Sequence, residues 1–446
     1  MTADSKTATR TPSAAASEVA PSFYPPIQWP LMARLVQSIS YPLARQLFKF
    51  RIAVSEESVG RVRSVDNGRL VFVCNHPTLE DGITLFVLSS RLGQLFHYIV
   101  AYESFKGLMG WFIQRLGCYS IRRGLGDRAS ISQTLSLLKQ PRCRLVIFPE
   151  GGCSYQNDTI MPFRPGAIQL PMSVLAQLAK KAPSPEQIPD FYLVPVSLKY
   201  RYGSPMGGVI DSTLSRMEAE LKISVTAGNH SETPDNYHRL RQVAHAVILK
   251  LENEARENGM PLPDTGTLSW NERIEHLRHI FIQKCENLLN IEPNLNMPIR
   301  ERVYKVQALL EDVEDVASEQ ATSEVTKNDP PASNTPENQG SSPVSINRKE
   351  VYWDTVRLLN FDAIYDGYVA ESPTPERFLD TLVRLEREVF HLEHPRPKAP
   401  RKACFYIGEP INLKSYLSDF QRDRSGTIDR LSEELRQIMQ SNLDRT

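Results

Sequence analysis

The segment VCNHPTLEDG, Val73 to Gly82, places His76 and Asp81 five positions apart at the end of a continuous apolar run. Imidazole suits general acid–base work near neutral pH, and a carboxylate on one ring nitrogen fixes the tautomer and supports the imidazolium formed in a transition state. With His76 ending a buried strand, Pro77 opening a helix and Asp81 in that helix's first turn, the two side chains would meet. His76 would then be a neutral base facing the open strand end, acting on a nucleophile that belongs to the substrate. The same residues also admit a turn-capping histidine beside a helix-start acid. With Glu150 added they would form a metal set of one histidine and two carboxylates, which is a weak one.

The elements able to hold this corner show as an alternation of strands and helices. GRLVFVCNH, FHYIVA, CYSIR, CRLVIFP and FYLVPVSLKY read as strands, and LEDGITLFVLSSRLG, SFKGLMGWFIQRLG and DRASISQTLSLLKQ as helices. Such alternation predicts an α/β fold, a largely parallel sheet flanked by helices, with its ligand site beyond the strand ends. Ahead of it, from Trp29 to Phe50, the residues Leu31, Met32, Leu35, Val36, Ile39, Leu43, Leu47 and Phe50 share one side of a helical wheel. Arg34, Ser38 and Arg45 lie opposite, and Pro42 is expected to kink or split the helix. This amphipathic segment either packs on the domain or lies on a membrane surface.

The organisation expected is a disordered tail over 1–25, an α/β core with its N-terminal amphipathic helices over 26–202, and a helical extension over 203–317. A polar stretch without aromatic residues, 318–347, reads as a disordered linker. Residues 348–446 then carry a helical segment, a closing strand and turn in ACFYIGEPINL, and a C-terminal helix.

The 446 residues, 41% of them hydrophobic, can bury a sizeable core, and a formal net charge of zero gives no field for nucleic acid. Six cysteines without a CxxC pair read as free thiols in a reducing compartment. The first residues lack the apolar centre of a secretory signal, and no apolar run approaches the roughly 20 residues of a membrane span. A cytoplasmic protein, peripheral on a membrane face, is the expectation.

The box NHPTLED resembles the NHxxxxD box of the glycerolipid acyltransferases typified by 1-acylglycerol-3-phosphate acyltransferase. Further blocks resemble that family in order. GCYSIRRG resembles the second block, whose arginine is matched by Arg123; FPEGGCS resembles FPEGTRS; MPFRPGA, LVPVSL and YIGEPINL resemble the segments that follow. The similarity covers about residues 50–202 and implies the family's α/β fold, with transfer of a fatty acyl group from acyl-CoA or acyl-carrier protein to a hydroxyl of a (phospho)glycerolipid. It makes His76 and Asp81 the catalytic pair, and Arg123 and Arg164 the phosphate ligands. Glu150 and Gly151 belong to the substrate-binding third block, where Glu150 organises the loop and positions the acceptor. No cofactor or metal is implied. The chain departs from the pattern at Gly152 and Cys153, which stand where the family has Thr-Arg, so an expected phosphate-binding arginine is missing; this weakens a phosphate acceptor unless Arg123, Arg164, Lys199 or Arg201 compensates, and it leaves open an acceptor other than lysophosphatidate. Two other readings stand beside this one: a thioesterase or hydrolase with Cys153 as nucleophile, and a catalytically inactive lipid-binding scaffold.

Overall fold

The computed structural model describes residues 21–223, 235–310, 347–362, 364–393 and 395–445. The expected tail, up to Ala20, and the expected linker, up to Ile346, lie outside them.

In chain order the first elements are α1 (Pro30–Leu47), β1 (Phe50–Val54), α2 (Glu56–Ser64), β2 (Arg69–Cys74), α3 (Asp81–Leu92), β3 (His97–Ala101), α4 (Gly107–Arg115), β4 (Cys118–Ile121), α5 (Arg128–Lys139), β5 (Arg144–Ile147), α6 (Gly166–Ala179) and β6 (Phe191–Tyr202). Then come α7 (Gly207–Glu220), α8 (Asn236–Glu257), α9 (Trp270–Leu288), α10 (299–310), α11 (Arg348–Phe361), α12 (Tyr368–Glu371) and α13 (Pro375–Val389). The chain closes with β7 (Arg401–Ile407), β8 (Ile411–Asn412), α14 (Leu417–Arg422) and α15 (Arg424–Arg445).

One eight-stranded sheet has the order β1-β7-β6-β2-β5-β3-β4, with β8 against the start of β6. The five strands from β6 to β4 run parallel, β7 is antiparallel to β6, and β1 is parallel to β7. Strand β2, RLVFVC, is buried along its whole length because both faces of the sheet are covered. The period of two sends Val71 and Val73 into a core shared with α6 and α15, and Leu70 and Phe72 into one shared with α3 and Phe405. A third core, with Leu214, Val243, Phe281, Leu358 and Leu382, joins α7, α8 and α9 to α11 and α13. Helices on either side of 311–346 thus pack as one layer.

Three sequence expectations change, the first being Phe50, which is expected on the amphipathic helix but opens β1 and is buried. The helix expected to open at Pro77 begins at Asp81 instead; Thr78 donates its amide to Asp81 Oδ2 (2.9 Å) and its hydroxyl to Oδ1 (2.7 Å), which holds the intervening residues in a turn. Helix α1 is not split, since it runs through Pro42. Its packed face is made of Ala33, Gln37, Ser40 and Ala44, while Leu31, Leu35, Ile39, Leu43 and Leu47 are exposed. Gln37 selects that face by donating to Ser89 Oγ and to the Gln94 carbonyl, both at 2.8 Å, and the small residues around it allow close approach to α3. Among the described residues no helix is long and apolar enough to cross a membrane.

Candidate active site

Main-chain pairing between β2 and β6 stops at Cys74 opposite Val196. Two side-chain amides then continue it. Asn75 donates to the Leu198 carbonyl (2.9 Å) and accepts from the Leu198 amide (2.8 Å), and Asn157 does the same with Tyr200 (2.6 and 2.7 Å). The β6 backbone stays satisfied while the chain after β2 turns away and presents His76.

His76 Nδ1 lies 2.8 Å from Asp81 Oδ2. The carboxylate is fully buried, while 18% of the His76 side chain remains exposed, so the pair has a dry side and an open side. Asp81 is held from three directions: the Thr78 amide, the Thr78 hydroxyl and the Tyr200 hydroxyl, which donates to Oδ1 at 2.8 Å. Tyr200 also meets Thr84 Oγ1 at 2.9 Å. Phe148, just after β5, stacks on the imidazole with ring centroids 4.3 Å apart. The Ser154 amide donates to the His76 carbonyl (2.8 Å), binding the loop after β5 to the loop after β2.

Glu150 is buried beside this pair and accepts the Met161 amide at 3.3 Å. Burial pushes its carboxyl up to about 8, against the opposing pull of backbone amides and of Arg300. Gly151, at φ +74°, lies so close under the Arg164 guanidinium that a Cβ there would fall 1.9 Å from Nε. Arg123 and Arg164 are brought to one place: their guanidinium carbons lie 4.5 and 5.6 Å from the Tyr304 ring centroid. Arg164 pairs with Glu301 at 2.6 Å, and Arg123 pairs with Glu103. Lys199 instead donates to the Leu443 carbonyl (3.1 Å), tying β6 to α15. The Cys153 thiol is driven well above its ordinary range by burial first and by Asp81 next, which suits an inert side chain and not a nucleophile. Among the described residues no group of three or more His, Cys, Asp or Glu could hold a metal.

An acyltransferase family model matches residues 51–199. This segment is an acyltransferase domain. Its chemistry is acyl transfer, and the match runs from β1 into β6, ending one residue before Tyr200, with both loops that meet at His76. No curated protein matches the chain.

Several residues that shape the acyltransferase site were not singled out from the sequence. Thr78 sits inside the NHPTLED box and was open to recognition as a turn donor. Tyr200 lies 119 positions from Asp81, and only β2–β6 pairing brings it near. Glu301 and Tyr304 come from α10, where nothing in the local pattern marks them.

Proposed function

We propose that the acyltransferase domain moves an acyl group from a thioester donor, acyl-CoA or acyl-carrier protein, to a hydroxyl of a glycerolipid at a membrane surface, with His76 as general base. The observation that carries this is the bond from His76 Nδ1 to the buried, threefold-held Asp81 carboxylate. With Nδ1 committed to Asp81, Nε2 is the nitrogen that receives the acceptor's proton. The acceptor oxygen then attacks the thioester carbonyl, the C–S bond breaks, and the imidazolium returns its proton to the departing sulfur. No covalent enzyme intermediate is needed. Glu150 keeps the loop from Phe148 to Met161 in place, and Arg123 and Arg164 line the acceptor's side. The exposed apolar residues of α1 support contact with lipid, from which the acceptor reaches the site.

His76→Ala should lower acyl transfer by about 10²- to 10⁴-fold, with an unchanged circular dichroism melt. The assay pairs labelled acyl-CoA and acyl-carrier protein with a panel of lipid alcohols, products being identified by mass spectrometry. A variant turning over at the wild-type rate, with chemistry limiting, would remove His76 from the mechanism.

A further inference from the structure

Helix α10 lies directly on the loops that carry the site's arginines. A Cβ at Gly152 would fall 1.9 Å from the Tyr304 hydroxyl, and one at Gly124 would fall 2.2 Å from the Lys305 amide nitrogen. The second and third sequence blocks therefore both carry glycine where α10 touches them, and any side chain at position 152 competes with Tyr304 for one space. Arg300 adds a bond to the Glu150 carbonyl at 3.3 Å and an ion pair to Asp362. The helix is fitted against both loops, with Tyr304 only 3% exposed.

The charges are arranged to match. Arg164 is engaged by Glu301 and Arg123 by Glu103, with the Tyr304 ring beside both guanidinium groups. The Arg164–Glu301 pair keeps 32% and 26% of its side chains exposed, so it is partly open to solvent, although the Arg164 nitrogen that meets Glu301 is buried. A phosphate reaching Arg164 must displace a carboxylate of the chain itself or lie beside it, and like charges at such range repel. A hydroxyl head group carries no such charge, and Glu301 can accept a hydrogen bond from it.

We propose that α10 is a head-group selector, in which Glu301 and Tyr304 close the arginine cradle to phosphate and favour an acceptor that is a neutral lipid alcohol. This rests on the acyl-transfer reading of the site and names its substrate class. Glu301 and Tyr304 act on specificity through Arg164 and Arg123; they are not the base.

The test uses the full-length protein and Glu301→Gln, which keeps the shape of the side chain and removes its charge. Acyl transfer from acyl-CoA is measured to monoacylglycerol and to lysophosphatidate in the same mixed micelles, and glycerol 3-phosphate binding is measured by calorimetry. Wild type should prefer monoacylglycerol. In the variant the ratio of kcat/KM values should move about tenfold toward lysophosphatidate, with the donor KM unchanged and a gain in glycerol 3-phosphate affinity. A wild-type preference for lysophosphatidate, an unchanged ratio, or an equal rise for both acceptors would overturn the selector. If neither acceptor is acylated from acyl-CoA, the acyl-transfer reading is decided by the panel assay with both donors, and calorimetry still decides the cradle: equal glycerol 3-phosphate affinity in the two proteins ends the proposal by itself.

Discussion

Glu150 is an acid held back from ionising by its surroundings, and this should be measurable. Its carboxyl is raised from an ordinary glutamate's 4.5 to about 8 by burial. Between those values the folded protein retains a proton that the unfolded chain has lost. The contribution to stability is complete below about 4.5 and is lost as pH rises through about 8. Asp380, raised from 3.8 to about 7 mainly by burial, acts in the same direction. Glu150→Gln should therefore flatten the fall in urea midpoint between pH 5 and pH 8 and leave the protein comparatively more stable at the alkaline end. Parallel pH profiles for variant and wild type would show that Glu150 ionises normally. At this scale the sequence was readable where the chemistry is local. His76 and Asp81 meet across one short turn, and Thr78 within it was open to the same local reading, but the tyrosine that holds Asp81 depends on a strand pairing that no residue spacing encodes.

Among the elements, α1 shows what periodicity can and cannot convey. The wheel correctly collects Leu31, Leu35, Ile39, Leu43 and Leu47, yet it cannot say which side packs, because Gln37 finds its partners on α3 and takes the inner position. Next to α1, α4 exposes Leu108, Met109 and Trp111. The two elements are joined by bonds from the Ile27 and Trp29 amides to Gln114 and Arg115 carbonyls, each 3.0 Å, and by Trp29 meeting Trp111 edge-on at 6.1 Å. Arg115 lies over both indoles, 4.6 and 3.8 Å from their centroids. Exposed apolar side chains thus stand on both elements that meet at this joint. Leu35→Glu with Leu108→Glu should cut co-sedimentation with phospholipid vesicles about tenfold or more, since each change removes roughly 1.5–3 kcal/mol of apolar burial in lipid, and thermal stability should hold because neither side chain is in the core. Full sedimentation by the double variant would assign this surface to something other than lipid.

Taken as a whole, the molecule builds one sheet from distant parts of the chain. Strand β1 was not read from the sequence, but β2 to β6 follow from alternation in it, and so does the strand in ACFYIGEPINL. Its insertion between β1 and β6 does not, because the order is set by which edges the packed helices leave open. The acyltransferase segment 51–199 consequently contains neither β7 nor the third core. Expressed alone, it should lack a cooperative melt in calorimetry, whereas the full chain should show one. A sharp transition from the isolated segment would mean that β1 finds another partner.

The placement of β7 also bears on how the chain is made. On a ribosome adding about 5–20 residues per second, roughly 10 to 40 s separate the emergence of β6 from that of β7. Throughout that interval the edge of β6 that will receive β7, and the whole of β1, wait without a partner. Unpaired edges are where nascent chains join one another. Lys199 and Arg201 on β6, and Arg51 on β1, put positive charge on these waiting strands. Two ribosomes translating this message side by side would carry strands that repel each other until each chain supplies its own β7.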